Sequence, residues 1–138
     1  MRMRHRTLAR WREQRGQSLL ETGLMIPIIF IVVFWVFELG WLMYTYCVLA
    51  DAANEGVRYS IVHSGGDLIG TQTRVRSFAY TSLHDVSGMS TSVTFPDGSA
   101  APPNRVRVAV TYTYVPWLSW AITAPTMRTY AEGRMVVQ

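Results

Sequence analysis

The sequence predicts an α+β protein in which a long amino-terminal helix crosses a membrane and continues into a module of one short helix and a three-stranded antiparallel sheet. Three observations carry that prediction. Thr22 to Tyr44 is an apolar stretch with a single charge, Glu38. Small and apolar residues then recur at helical spacing to about residue 63, and Asn104 to Val115 alternates with the period of a strand. Together they divide the chain into a basic leader over 1–16, a long helix over 17–63 whose membrane-spanning part is about 22–44, and an external α+β domain over 64–138.

The 138 residues amount to one domain's worth of chain. With 49% hydrophobic and 16% charged residues, the composition is too apolar for a disordered segment. Cys47 is the only cysteine, so no intramolecular disulfide staples the fold. Lysine is absent and all 13 basic side chains are arginine, which excludes a P-loop lysine, a Schiff-base lysine and a kinase-type Lys/Glu pair.

Six of those arginines, Arg2, Arg4, Arg6, Arg10, Arg12 and Arg15, precede Gly16 and face one acid, Glu13. The remainder carries seven arginines against eight acids, so the basicity belongs to the leader and not to a folded face. Nucleic acid is therefore not an expected partner, since such a partner needs a basic surface or a recognisable reading motif.

The stretch from Thr22 to Tyr44, as a helix rising about 1.5 Å per residue, reaches roughly 34 Å, enough for a bilayer core of about 30 Å. Its uncharged part ends at Phe37, and Leu39, Trp41, Leu42 and Met43 extend it beyond Glu38. Trp35, Trp41, Tyr44 and Tyr46 supply interfacial aromatics at its far end. Arginines concentrated before the span predict the amino terminus in the cytoplasm and the bulk of the chain outside. A secretory signal peptide shares this layout, but its apolar core is about 7–15 residues and is followed by a cleavage site. Here Tyr44 to Arg58 continues the helical pattern, with Ala50-Asp51-Ala52 as the one stretch that mimics such a site.

Glu21 stands at the mouth of the span, where a carboxylate needs a partner. If the chain is cut after Gly16, the new α-amino group of Gln17 is such a partner, within one helix at i,i+4 or between neighbouring subunits. Glu21 then acts as an assembly carboxylate that sets the stacking offset. The alternative is that Glu21 only complements the positive end of the helix dipole. Pro27 removes one helical N–H and crowds the carbonyl of Gly23, which predicts a bent or loosened helix at that pair.

Gly16 followed by Gln17, Ser18, Leu19, Leu20 and Glu21, ahead of an apolar helix, resembles the class III signal of type IV prepilins. From Arg15 to Val62 the chain is similar to the TadE-like minor pseudopilins of tight-adherence (Flp-type) pili. The residues that carry this are the Gly16 junction, Met25-Ile26-Pro27, Phe37-Glu38-Leu39-Gly40 and Ala52-Ala53-Asn54-Glu55-Gly56-Val57-Arg58-Tyr59. The resemblance implies cleavage between Gly16 and Gln17 by an inner-membrane prepilin peptidase. It also implies a pilin-like external module, other pilin and minor pilin subunits and the inner-membrane assembly platform as partners, and a role in pilus biogenesis. Thr22 stands where major Flp pilins usually have Tyr, and the external tail is long for a major subunit; both point to a minor one.

Beyond the span, Leu49, Ala52, Ala53, Gly56 and Ser60 form a narrow stripe that suits close packing on the chain's own module or on another subunit. Glu55 and Arg58 are spaced as a surface pair. Ser64 to Asp67 ends the helix, and Thr71 to Leu83 has helical spacing through Val75, Phe78, Ala79 and Leu83. Strands follow at Ser92–Phe95, Asn104–Val115 and about Thr126–Val137, joined by a turn-rich Pro96–Pro103 and by Pro116–Ala124. The last connector carries Trp117, Leu118, Trp120 and Ile122, which suit core packing, contact with the outer leaflet or contact with a neighbouring subunit.

No catalytic residue is expected, because no nucleophile–base pairing or paired carboxylates can be assembled from motifs. His63 and His84 lack metal-like neighbours, so neither a metal nor a cofactor is expected. The expected role is that of a non-enzymatic minor pseudopilin or assembly subunit in the bacterial inner membrane. The alternative is an unprocessed single-pass anchor presenting a ligand-binding or envelope-binding domain.

Overall fold

The computed structural model describes residues 4–63, 66–83, 85–117, 119 and 123–136, with side chains described from Gly16 onward. The element order is α1 (Arg4–Val62), α2 (Leu68–Ser82), β1 (Met89–Thr94), β2 (Arg105–Thr113) and β3 (Thr126–Arg134). The chain is α+β, with the long apolar helix, the short helix and the three-stranded antiparallel sheet that the sequence predicts. It divides into two compact units, Met1–Leu39 and Gly40–Gln138.

The first unit is helix alone. Its large side chains from Leu19 to Phe37 are exposed on every face, and Glu38 near its end is 7% exposed. A helix apolar all round has no solvated face and no core of its own to cover it. Pro27 lies inside α1 and does not end it.

The second unit has a conventional core. β1, β2 and β3 form an antiparallel meander in that order, with Val93 opposite Val108 and Val108 opposite Ala131. Alternation sends Val106, Val108 and Val110 to the inner face, where all three are fully buried. Leu49, Ala52, Ala53 and Val57 of α1, together with Val75, Ala79 and Leu83 of the α2 region, complete the same cluster. Burying each Val or Leu side chain contributes on the order of 1.5–3 kcal/mol.

Two glycines let the layers approach. A Cβ on Gly56 would overlap Val75 and come within 3.2 Å of Val108, so α1, α2 and the central strand meet at this residue. A Cβ on Gly133 of β3 would lie 2.6 Å from both Val57 and Ile61 of α1.

Several boundaries differ from the sequence expectation; α1 begins at Arg4 and not at residue 17, and β2 runs Arg105–Thr113 and not Asn104–Val115. α2 starts at Leu68 and not at Thr71, because the Asp67 carboxylate accepts the Gly70 N–H at 2.8 Å and caps the first turn. β1 starts at Met89 and not at Ser92, since pairing with Tyr112 and Thr111 recruits residues that show no alternation of their own. β3 ends at Arg134, where its pairing with Arg105 ends.

Candidate functional site

At the junction between leader and apolar run, Gly16, Gln17 and Glu21 all lie on exposed turns of α1. Gln17 Nε2 donates to Glu21 Oε1 at 3.1 Å, and Thr22 Oγ1 donates to Ser18 O at 2.8 Å. Glu21 is therefore held by the amide of the residue one turn earlier. Among the described residues, no atom lies within 4 Å of a Cβ built on Gly16 or on Gly23. Neither glycine is required by the packing of the chain around it, in contrast to Gly56.

The small-residue stripe forms the next group. Ala52, Ala53, Gly56 and Ser60 are buried, and Gly56 sits where α1 meets Val75 of α2 and Val108 of β2. Flanking them, Glu55 accepts from Arg74 Nε at 3.0 Å and from Arg74 Nη2 at 2.8 Å, whereas Arg58 stands 4.0 Å from Glu55. The main partner of Glu55 is thus on α2 and not on its own helix.

A clasp joins the two helices. Tyr59 Oη donates to Asp67 Oδ2 at 3.0 Å, and its ring stacks on His63 with centroids 4.0 Å apart and planes 10° apart. The Gly70 N–H and the Tyr59 hydroxyl hold the Asp67 carboxyl below its ordinary pKa. The same bond, which favours the neutral phenol, raises the Tyr59 pKa. Sequence reasoning missed this clasp; the available signal was Asp67 in the N-cap position of an apolar-periodic helix.

At the β1–β2 end of the sheet, Asp97 Oδ2 accepts the Arg105 backbone N–H at 2.8 Å, and Asp97 Oδ1 accepts from Arg105 Nη2 at 2.9 Å. Arg107 pairs with Glu132 across the strands, and its guanidinium lies 5.1 Å from the centroid of the Tyr130 ring. At the opposite end, Tyr114 and Pro116 are buried while Trp117 is 81% exposed. Trp120, Leu118, Ile122 and His84 lie outside the described residues.

Among the described residues, no three His, Cys, Asp or Glu side chains are grouped so as to hold a metal ion. Cys47 is free and exposed. α1 contains a helix long and apolar enough to cross a membrane.

Comparison with known proteins returned one family. The model described as TadE-like protein matches residues 16–58, whereas no curated protein and no solved structure matches the chain. The matched segment runs from the Gly16 junction through Glu21, the Gly23/Pro27 pair and the apolar run to the buried stripe. Residues 16–58 are thus similar to the TadE-like family, which is associated with the tight-adherence pilus.

Proposed function

We propose that this chain is a minor pseudopilin or assembly subunit of a tight-adherence pilus, cut between Gly16 and Gln17 by a prepilin peptidase. Residues 1–16 are the cytoplasmic leader, 17–63 the assembly helix with its span at about 22–44, and 64–138 the module on the far side of the inner membrane. The observation that carries the reading is the family match, which begins at Gly16 and includes Glu21. Its role is structural, and its partners are the peptidase, other pilin subunits, the assembly platform and the bilayer.

The local chemistry supports the junction as a processing point. Nothing within 4 Å in the described structure calls for glycine at position 16, so a requirement for it falls on an external binding site such as a crowded protease subsite. The bond to be cut lies inside α1, and a protease that binds extended substrate must first unwind that turn. Glycine eases unwinding by about 1 kcal/mol relative to alanine.

Cleavage creates an ammonium on Gln17 one turn from Glu21, whose present partner is only an amide. A carboxylate at the centre of a membrane helix costs about 2.5–3.5 kcal/mol on insertion scales, and less near an interface. Pairing Glu21 with the Gln17 ammonium of a neighbouring subunit offsets that cost at one stacking offset. The wider penalty for other offsets makes Glu21 a register pin.

The test is intact mass and amino-terminal mapping after coexpression with a cognate prepilin peptidase, beside Gly16→Val and Glu21→Ala. The expected product begins at Gln17 in the parent and in Glu21→Ala, and stays full length in Gly16→Val; Glu21→Ala is processed but impairs pilus assembly. A parent that keeps all six leader arginines overturns the proposal and leaves the permanent anchor.

A further inference from the structure

The two edges of the sheet are finished differently. We propose that the open edge of β3 takes up an extended strand of a partner protein that carries acidic side chains opposite Arg128 and Arg134. This contact concerns residues 40–138 alone and needs neither the membrane span nor a pilus.

The direction of each backbone group in β3 follows from two bonds just outside the ladder. The Tyr114 N–H donates to Pro125 O and the Met135 N–H donates to Asn104 O, each at 3.0 Å. Both continue by one residue the register that sets Thr113 opposite Thr126 and Arg105 opposite Arg134. Bonded pairs alternate along an antiparallel ladder, so Met127, Thr129, Ala131 and Gly133 turn their N–H and C=O groups toward β2. Thr126, Arg128, Tyr130, Glu132 and Arg134 turn theirs away from it, and all of these residues are exposed. Among the described residues, nothing hydrogen-bonds to those outward backbone groups.

The β1 edge is closed in part by the chain itself. The Thr113 N–H donates to Gly88 O at 3.3 Å, so by the same alternation Met89, Thr91 and Val93 point outward. Gln72 Nε2 of α2 donates to Thr91 O at 3.4 Å, and the Met89 N–H donates to Val86 O at 3.1 Å. Edge strands are commonly blunted by proline, lysine or a bulge. β3 has neither residue, and its register to β2 is unbroken over all 9 positions. Such an edge is a template for strand addition, in which main-chain bonds give affinity and alternate side chains give specificity.

Charge selects the occupant. The outward residues share one face of the sheet, and Glu132 among them is held by Arg107 and lies 3.8 Å from Arg105, both on β2. Arg128 and Arg134 form no ion pair among the described residues. A strand with a carboxylate opposite each of them gains backbone bonds and charge pairs together. A second copy of β3 fits less well, for it brings the same two arginines and offers Arg128 a glutamate that Arg107 already holds.

The test uses the full chain in detergent micelles with a fluorescent peptide, Glu-Val-Thr-Val-Tyr-Val-Glu-Val-Thr, whose glutamates in antiparallel register face Arg134 and Arg128. One control peptide has arginine for both glutamates. Another has its tyrosine N-methylated, which keeps the charge and removes a backbone donor. Binding is read by anisotropy and by residue-resolved amide exchange. The expected result is that the outward amides of Arg128, Tyr130 and Glu132 exchange freely in the chain alone and slow by about tenfold or more with the acidic peptide. Both control peptides bind roughly tenfold more weakly or worse. Arg128→Glu with Arg134→Glu inverts the preference between the acidic and arginine peptides. Tyr130→Pro removes an outward N–H and no bond to β2, so it abolishes binding by a folded module. If that variant does not fold, the N-methylated peptide makes the same cut from the other strand. Absence of binding at millimolar peptide, equal binding of the N-methylated peptide, or binding without protection of the outward amides overturns strand addition. Protection of those amides without peptide, together with a concentration-dependent dimer, overturns the acidic partner in favour of a second copy.

Discussion

Two segments of one helix, residues 19–37 and residues 45–61 of α1, are both rich in hydrophobic residues, 15 of 19 in the first and 10 of 17 in the second, and the more apolar one is the one left uncovered. In the first, leucine, isoleucine, valine and phenylalanine are exposed on all sides; in the second, Leu49, Ala52 and Ala53 are fully buried. The difference lies in arrangement. Large apolar groups around the full circumference leave no polar face, whereas a narrow stripe of small residues allows a sheet to approach within contact distance while Asp51 stays outward. Hydrophobicity alone thus does not define a core; a core also needs a surface of complementary shape.

That contrast is broken most strongly by placing charge in the first segment. Ile29→Arg together with Val33→Arg puts two guanidiniums in the span, each costing about 2.5–3.5 kcal/mol at the centre of a membrane helix. The chain is expected to shift out of the carbonate-resistant membrane fraction, while the thermal transition of the module keeps its midpoint in detergent.

The reverse dissociation comes from the second segment. Leu49→Ala removes a fully buried side chain and is expected to destabilise the module by about 2–5 kcal/mol, read by denaturant unfolding. The matched truncation Val33→Ala lies outside any core in the described structure and should leave that transition within about 0.5 kcal/mol of the parent. Equal effects from the two truncations would remove the distinction between the segments.

A smaller effect comes from the Asp97–Arg105 pair at one end of the module. The Arg105 guanidinium and then the Arg105 backbone N–H hold the Asp97 pKa down from 3.8 to about 2. A depressed carboxylate pKa stabilises the fold above the unfolded value, and the contribution is lost as pH falls from about 4 through about 2. Thermal unfolding of the parent should therefore weaken over that window, and Asp97→Asn should flatten the decline. The Asp67 carboxyl, lowered by Gly70 and Tyr59, acts with the same sign, so some acid sensitivity should survive in Asp97→Asn.

Local pattern made much of this legible before any coordinates. The alternation of Val106, Val108 and Val110, the spacing of Val75, Ala79 and Leu83, and the long apolar run each repeat often enough to identify an element, although Phe78, expected on the same stripe as Val75, is exposed. The small stripe was legible too, and packing on the chain's own module was the favoured of its two readings. The pairs Arg74 with Glu55, Tyr59 with Asp67, Asp97 with Arg105 and Arg107 with Glu132 were not legible, because each needs a turn conformation or a strand register that no local period specifies. Gly133 reads as an ordinary strand glycine until Val57 and Ile61 are found over it.

The sequence by itself determined the order of elements, the long apolar run behind a basic flank, and the Gly16–Glu21 junction. These depend on residue type and spacing along one chain, and the physical preferences behind them are local. Only the tertiary structure decided that Gly56 is the meeting point of three elements, and that Gly133 of β3 lies beneath Val57 and Ile61 of α1. Those facts depend on how far a strand and a helix advance per residue when packed side by side, and that relation exists only once both are folded.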